Sequence, residues 1–592
     1  MSDRNFFAEL KRRNVIRAAI FYAGTVWALA QGISQLGPSV GAPEWATRWF
    51  LVAAAIGFPF WVAFAWFYEF TPEGLKRESE IDRAESVTHH TGRKLDFAII
   101  GVLAVAVVLL LTDRFVSRHG VNPIAEKSIA VLPLVNSTGD PANEYFSDGM
   151  SEEFISTLSR LQDLKVIGRS SSFQFKGKSD DSRTIGEKLG VYYLLEGSVR
   201  KSADRVRIAV ALIKSGDGAN VWSDTYDREL KDIFAVQSEI AGEVAKQLKV
   251  ALLGKDGQAV PLTTAATPSN QNVEAYNALL QGNFYFNRRT AEDTRKAIGY
   301  YEEAIRLDPR YALAYAKLSY SAETLATNYA GIPPKEREEL LAKTRASAQR
   351  ALDLDPNLAD AHLAQGRILT DVDFNFAAAE AEVRRASELA LQNALVTGDF
   401  ARLMSYLGRF DEALALGQRA IALEPLRSTS HQNLALYLTV LGRYDEAEAA
   451  LRKAIELQPQ SANNYLRLAR IQILRGKPGA AVELAKQETD PFWRTYALTQ
   501  AHFANGDRAE ADATLKKLID ENADDAGTQI AEVYALRKEP EKMFEWLEHA
   551  WATHDAGVTE LLSDPFLRAY KDDPRFIAFA QKVGVMPKAA TK

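Results

Sequence analysis

Two stretches, LGRFDEALALGQRAIALEP (Leu407–Pro425) and LGRYDEAEAALRKAIELQP (Leu441–Pro459), match each other at a shift of 34 residues. The small residues that keep this shift are Gly408, Gly442, Gly476, Ala413, Ala447 and Ala481. Small residues let two helices approach closely, and a proline ends the second helix because it cannot continue one. The pattern predicts an all-α stack of helical hairpins, with about eight units over residues 272–553.

This repeat resembles the tetratricopeptide repeat (TPR), a helix-turn-helix unit of about 34 residues. The resemblance implies that the first helix of each unit lines a concave groove and that the groove binds protein or peptide partners. One groove-facing position is then held, in successive units, by Tyr320, Arg367, Arg402, Leu436 and Arg470. The three arginines could receive carboxylates from an extended peptide. The alternative is that they are solvated groove residues, some of them paired with acidic neighbours on the adjacent helix.

Residues 126–253 show a different pattern, in which short β-branched runs are separated by amphipathic helices. Lys127–Asn136 is predicted as a strand, Tyr145–Leu161 as a helix and Leu164–Ile167 as a second strand. A short helix, three further strands and a final helix, Ile233–Leu252, follow. The order β-α-β-α-β-β-β-α predicts a small α/β domain with helices packed on a mixed sheet.

Four pieces of this region carry a second resemblance: SIAVLPLVNSTGDPANEYFSDGMSEEFISTLSRL, LKVIGRSSSFQFKGK, LGVYYLLEGSVRKSADRVRIAVALI and VWSDTYDRELKDIFAVQSEIA. In this order they resemble the TolB-like N-terminal domain. The resemblance implies an assembly or signalling module without assigned catalysis, which in bacteria commonly lies between a membrane segment and tetratricopeptide repeats. Relatives often carry a cyclase or a winged-helix DNA-binding domain ahead of the membrane segment. Too few residues precede the first predicted span for either domain, so neither output is expected here.

Residues 1–118 are predicted to form a membrane anchor with three transmembrane helices, at about residues 15–36, 49–70 and 95–116. The last contains an uninterrupted apolar run, FAIIGVLAVAVVLLL (Phe97–Leu111). Lysine and arginine are concentrated before the first span and in the loop after the second, which favours a cytoplasmic N-terminus. The sequence therefore predicts a multi-pass bacterial inner-membrane protein that contacts the lipid bilayer and has periplasmic C-terminal domains. A buried core helix is the alternative for Phe97–Leu111.

Two further segments complete the predicted domain organisation. Residues 254–271 are polar, contain two prolines and are predicted as a linker. The repeat array and a C-terminal cap then occupy residues 272–585. The aromatic residues of that cap are Phe566, Tyr570, Phe576 and Phe579.

Composition excludes several chemistries. The chain has no cysteine, so thiol catalysis, disulfides and zinc–cysteine sites are excluded. A net charge of −6 gives no basic field for nucleic acid. The sequence has no phosphate-binding loop, dinucleotide fingerprint, zinc-protease motif or hydrolase motif. We therefore predict no catalytic residue, cofactor or metal. The leading hypothesis is a non-catalytic scaffold that binds other proteins, and the alternative is a membrane signalling receptor with a separate cytoplasmic output partner.

Overall fold

The computed structural model describes residues 126–161, 164–202, 204–253, 272–329 and 332–586, together with short parts of residues 15–77. The chain divides into two compact units, Met1–Pro123 and Ile124–Lys592. Each unit is described by itself.

The described residues of the N-terminal unit include helical positions between Val15 and Phe64. They also include an antiparallel hairpin of strands β1 (Tyr68–Thr71) and β2 (Gly74–Arg77). The Tyr22 hydroxyl donates a hydrogen bond to the carbonyl of Ala54 at 2.8 Å, which joins the two helical regions.

The predicted transmembrane anchor, and with it the multi-pass inner-membrane placement, is wrong. No helix in the described part of the chain is long and apolar enough to cross a membrane. At the second predicted span, residues 49–70, the physical reason is visible: the chain turns into strand β1 at Tyr68, before the span is complete. The third predicted span, residues 95–116, lies outside the described residues.

The second unit begins with a small mixed sheet. Its strands are β3 (Ser128–Val131), β4 (Val135–Asn136), β5 (Lys165–Ile167), β6 (Tyr193–Ser202), β7 (Arg205–Lys214) and β8 (Asn220–Glu229). The order is β5-β3-β6-β7-β8, and β4 also pairs with β6. Strand β3 runs parallel to β5 and β6, whereas β6, β7 and β8 are antiparallel. A small mixed sheet is thus present where the sequence predicts one.

Four α-helices accompany the sheet: α1 (Glu144–Leu158), α2 (Arg169–Ser172), α3 (Ser182–Leu189) and α4 (Ile233–Leu253). Successive residues of β6 point to opposite faces, as the period of a strand requires. Tyr193 packs in the same cluster as residues of α1 and α4, whereas Leu194 packs in the cluster of α3. Each face of the sheet is therefore covered by helix.

The strand predicted over Lys127–Asn136 is interrupted in the structure. Pro133 stands between β3 and β4, and a proline has no backbone N–H to continue the ladder. The following amide, that of Leu134, donates to the Ser151 hydroxyl of α1 at 2.9 Å. The break thus ties the sheet to helix α1.

The remainder of the unit is helical. The helices are α5 (Val273–Phe286), α6 (Ala291–Leu307), α7 (Ala312–Asn328), α8 (Pro334–Leu354), α9 (Ala359–Asp371), α10 (Phe376–Leu389), α11 (Ala394–Tyr406), α12 (Phe410–Leu423), α13 (Ser428–Val440), α14 (Tyr444–Leu457), α15 (Asn464–Leu474), α16 (Pro478–Ala485), α17 (Pro491–Asn505), α18 (Arg508–Asn522), α19 (Gly527–Arg537) and α20 (Pro540–Ala552). Consecutive helices pack in pairs, which gives eight helical hairpins in this described range.

A left-handed residue stands two positions before the second helix in seven of these hairpins. The residues with positive φ there are Gly408, Gly442, Gly476, Gly506, Arg289, Phe374 and Lys538. Glycine adopts this backbone without steric cost, whereas a side chain costs roughly 1 kcal/mol. Three hairpins therefore carry a strained side chain where the others carry glycine.

The C-terminal tail ends in helix α21 (Pro574–Val583) and packs on more than the last hairpin. The Ser563 hydroxyl donates to the Ser405 carbonyl at 3.2 Å. The Arg568 guanidinium lies 4.8 Å from the centre of the Phe410 ring. The tail thus joins the end of the stack to its fourth hairpin, because the stack curves back on itself.

Candidate functional site

The concave side of the stack encloses a cavity of about 1570 Å³. Residues from the first helix of all eight hairpins line it. Helix α1 and the start of α2, from the α/β domain, also contribute to the lining. Small-molecule pockets are typically about 300–1,000 Å³, so the space is large enough for a length of polypeptide.

The five predicted groove residues, Tyr320, Arg367, Arg402, Leu436 and Arg470, all line this cavity. None of the three arginines is free to meet an incoming carboxylate, because each is already paired. The Arg367 guanidinium donates to Glu323 at 3.0 Å and to Asp399 at 3.2 Å. It also lies 4.8 Å from the centre of the Tyr320 ring. Burial raises the pKa of Glu323, while attraction to Arg367 opposes that rise.

Arg402 makes the corresponding pair one hairpin further along. It donates two hydrogen bonds to Asp371, at 2.6 and 2.9 Å, in the bidentate geometry that favours guanidinium–carboxylate recognition. Burial alone would raise the pKa of Asp371, yet the attraction and hydrogen bonds of Arg402 lower it. The Tyr406 hydroxyl accepts a further hydrogen bond from Arg402 at 3.1 Å.

Arg470 is held by the far end of the chain. It donates to Glu532 of α19 at 3.3 Å and pairs closely with Asp564 of the tail. The Tyr496 hydroxyl donates to the same Glu532 carboxylate. Both carboxylates are almost wholly buried. The three arginines thus pair with acidic residues of the protein itself, as in the alternative interpretation of these groove positions. Their role in peptide binding remains a prediction.

Three other arginines of the cavity have a different environment: Arg160 of the α/β domain, and Arg289 and Arg467 of the helical stack. Among the described residues, none of the three has a carboxylate oxygen within 4.0 Å, the limit of an ion pair. Arg467 lies one turn before Arg470 on α15, and its side chain donates to the carbonyl of Gln432, at 3.2 Å. Burial lowers the pKa of the Arg467 guanidinium, and Glu560 attracts it only from beyond ion-pair distance.

Sequence reasoning missed Arg467 and Arg289 as cavity residues. Arg467 belongs to a second row of positions, three residues before the predicted one, where the central hairpins carry Asp399 and Asn433. The 34-residue shift could have identified Arg467, because the residue at this position changes from acidic in Asp399 to amide in Asn433 and to basic in Arg467. Arg289 occupies a strained left-handed position where four hairpins carry glycine. The irregular lengths of the early hairpins hide that correspondence in the sequence.

The α/β domain contributes acidic groups to the wall. Glu152 pairs with Arg169 and accepts a hydrogen bond at 3.1 Å from Asn287, the residue that follows α5. Burial, with the neighbouring Glu152 charge, raises the pKa of Glu153 to about 7. Glu153 has no ion pair among the described residues. Near neutral pH this carboxyl is therefore only partly charged.

Comparison with protein families identifies the repeats directly. Residues 399–462 and 441–490 match two models described as tetratricopeptide repeat. These matches confirm the repeats predicted from the 34-residue register, within the stretch they cover. TPR domains generally bind protein or peptide partners.

One curated relative and several solved structures are similar to parts of the chain. The relative, from Rhizobium meliloti (strain 1021), is named "Putative adenylate cyclase 3"; it is 37% identical over 242 residues, which are 40% of this chain and 39% of the relative. The chain thus spans well under half of that protein. A solved structure of pilF from Pseudomonas aeruginosa is 19% identical, with a TM-score of 0.28, and covers 35% of this chain and 92% of its own.

A second solved structure, YrrB, is described as a TPR protein with an unusual peptide-binding site. It is 18% identical, with a TM-score of 0.26, and covers 36% of this chain and 97% of its own. Such low similarities assign neither a partner nor an activity to the chain. The family matches nonetheless support one plain conclusion: this chain contains tetratricopeptide repeats within residues 399–490.

Proposed function

We propose that the cavity binds an extended acidic segment of a protein partner, so that the chain acts as a protein-binding module. The observation that carries this proposal is that Arg289 and Arg467, which line the cavity from the helical stack, have no carboxylate within ion-pair distance among the described residues. Arg289 is exposed where it lines the cavity and is therefore accessible to a ligand. Arg467 is partly buried, and taking a guanidinium with its five N–H donors out of water without a counter-charge is unfavourable. A partner carboxylate would relieve that cost, because a charge-assisted hydrogen bond is shorter and stronger than a neutral one.

The same reasoning assigns a supporting role to the predicted row. Arg367 and Arg402 hold neighbouring hairpins together through buried ion pairs, and Arg470 joins the sixth hairpin to the eighth and to the tail. The three arginines so shape the wall that a peptide would contact. Tyr320 and Leu436, which also line the cavity, would supply contacts to the peptide's apolar parts. The α/β domain, which resembles the TolB-like domain, would serve as one wall of the binding site rather than as a separate output.

The strain at Arg289 supports its assignment as a binding residue. A left-handed arginine costs roughly 1 kcal/mol relative to glycine, and strained positions cluster where function requires a particular side chain. Replacing Arg289 with glycine should therefore leave the free energy of unfolding unchanged or raise it by up to about 1 kcal/mol. Thermal unfolding measures this, and a clear loss of stability would show that Arg289 is needed for folding.

Peptide selection tests the proposal. The full chain is immobilised and presented with a displayed library of random peptides, and the enriched sequences are read. We expect enrichment of aspartate and glutamate over the input library. Synthetic copies of the selected peptides should lose at least about tenfold in affinity with the Arg289→Gly and Arg467→Met variants, because each removes a charged donor.

Both substitutions have controls that preserve the fold. Met retains the length of Arg467, and replacing a charge that lacks a partner by an apolar side chain is neutral or stabilising. The control for Arg289→Gly is Lys538→Gly, since Lys538 has the same left-handed backbone but does not line the cavity. Arg402→Glu and Arg470→Glu are unsuitable, because each would place a second carboxylate beside Asp371 or Asp564.

The outcomes separate two failures. Selected peptides without acidic enrichment, or affinities unchanged in both cavity variants, would refute the role of Arg289 and Arg467. Selection of no peptide above background would refute peptide binding by the cavity altogether.

A further inference from the structure

Two contacts between the α/β domain and the helical stack differ in character. The first lies at α5, beside the hydrogen bond from Asn287 to Glu152, and its centre is apolar: Tyr276 and Leu280 of α5 belong to the core of the α/β domain, among residues of α1 and α4. Gly149 of α1 leaves room for Leu280, whose side-chain carbons would meet an added Cβ at 2.6 Å. The buried Gln237 side chain donates to the Tyr276 hydroxyl at 2.6 Å. This contact is continuous hydrophobic core.

The second contact is made mainly by hydrogen bonds, and its residues Gly168, Ser170 and Glu424 line the cavity. The Gly168 amide donates to the Leu423 carbonyl at 2.9 Å. The Ser170 amide donates to the Glu424 carboxylate at 2.9 Å, and the Leu426 amide donates to the Ser171 hydroxyl at 2.9 Å. These bonds join segments about 255 residues apart in the chain. One side chain of the α12–α13 turn, the partly buried Leu426, packs on the nearby apolar cluster.

Glu424 is the centre of this second contact. Its residue is only 4% exposed, and its other oxygen accepts a hydrogen bond from Arg427 at 3.0 Å. Gly168 lies directly against it: a Cβ at that position would lie 2.6 Å from the Glu424 side chain. The backbone of Gly168 is ordinary extended chain, with φ −70° and ψ 163°. Glycine is required here for space and not for conformation.

We propose that the second contact, Gly168–Ser171 against Leu423–Leu426, is a latch that opens while the first contact remains closed. The α/β domain would swing on its apolar contact with α5 and so open one wall of the cavity. Breaking a few hydrogen bonds has a small net cost in free energy, because water molecules then bond to the same donors and acceptors. Separating a shared hydrophobic core costs more, because it exposes apolar surface to water. Local openings of this kind are the low-energy fluctuations of a folded protein. Residues on both sides of the latch line the cavity, so an open latch would let a polypeptide enter the cavity.

Hydrogen exchange of the unmodified full chain is the first test. If the latch opens by itself, the amides of Gly168, Ser170 and Leu426 should exchange faster than that of Leu280 in α5, although all are hydrogen-bonded or helical. Equal protection of the two sets would overturn the proposal, since it would mean that both contacts part only on global unfolding.

A steric substitution is the second test. Gly168→Ala adds only the Cβ that meets Glu424, and its backbone is compatible with alanine. The matched control is Gly216→Ala, in the same domain, where an added Cβ meets nothing within 4 Å. Because the chain has no cysteine, spin labels can be placed at two exposed sites, Gln174→Cys and Gln418→Cys, without removing native residues.

The expected result is a single short distance between the labels in the parent and in the Gly216→Ala control. Gly168→Ala should add a longer distance and speed exchange at the latch amides, while exchange at Leu280 stays unchanged. An unaltered distance distribution in Gly168→Ala would overturn the latch, and so would equal loss of protection at both contacts. Neither readout uses a peptide, so the result is independent of the proposed binding function.

Discussion

Replacing Asp564 with alanine is expected to lower the free energy of unfolding by about 3–5 kcal/mol, because it breaks a buried ion pair from one side. The Asp564 residue is 3% exposed. One carboxylate oxygen pairs with Arg470, and the other accepts hydrogen bonds from the amides of Phe566 at 2.8 Å and Leu567 at 2.9 Å. Alanine would leave a guanidinium without this counter-charge and two amides without acceptors. The tail would then lose its attachment to α15.

Guanidinium unfolding followed by tryptophan fluorescence measures this loss, since Trp493, Trp546 and Trp551 all lie in the C-terminal core. The control is Asp572→Ala, an exposed carboxylate of the same tail, which should change stability by less than about 0.5 kcal/mol. Asp564→Asn retains an acceptor for the two amides and should be intermediate. If Asp564→Ala behaved like the Asp572 control, the tail would not be held by this ion pair.

Replacing Glu153 with glutamine is expected to stabilise the protein at pH 8 but not at pH 4.5. Burial and the Glu152 charge raise the Glu153 pKa from its usual 4.5 to about 7. The folded protein therefore holds this proton more tightly than the unfolded chain does. The cost of ionising Glu153 is absent below pH 4.5, grows as the pH rises and is complete above pH 7. Each pKa unit corresponds to about 1.4 kcal/mol, and allowing for partial exposure we expect about 2 kcal/mol at pH 8.

Chemical denaturation of the parent and the Glu153→Gln variant at both pH values checks this prediction. Glu187→Gln, an exposed carboxylate of α3, is the control and should have the same small effect at each pH. A gain in stability that is equal at pH 4.5 and pH 8 would contradict the assignment, because only a group that titrates between those values produces a difference.

Much of the helical stack was predictable because its signals are local. The 34-residue shift of Gly408, Gly442 and Gly476 marks the turns, and each of these glycines has positive φ. The five groove residues that the repeat resemblance implied all line the cavity, and their role in binding remains a prediction. The mixed sheet was predictable for the same reason, although Pro133 divides its first strand.

The partners of those groove residues were not predictable. Arg367 meets Glu323, 44 residues away, and Arg470 meets Asp564, 94 residues away. Both pairings depend on how the hairpins stack and on where the tail packs against them. The spacing of charged residues along the sequence indicates neither of these arrangements. The second predicted span failed for a related reason: hydropathy scores composition, and it did not register that the chain forms a strand from Tyr68.

The sequence by itself determined the repeats and the small sheet, because a helix or strand repeats its side-chain directions at a fixed local period. Tertiary structure alone decided which arginines are neutralised, that Arg289 and Arg467 lack ion-pair partners among the described residues, and that Gly168 meets Glu424. The physical reason is that the curvature of a helical stack is the sum of many small rotations between neighbouring hairpins. That sum brings residues from distant parts of the chain into contact, and no short stretch of sequence contains it.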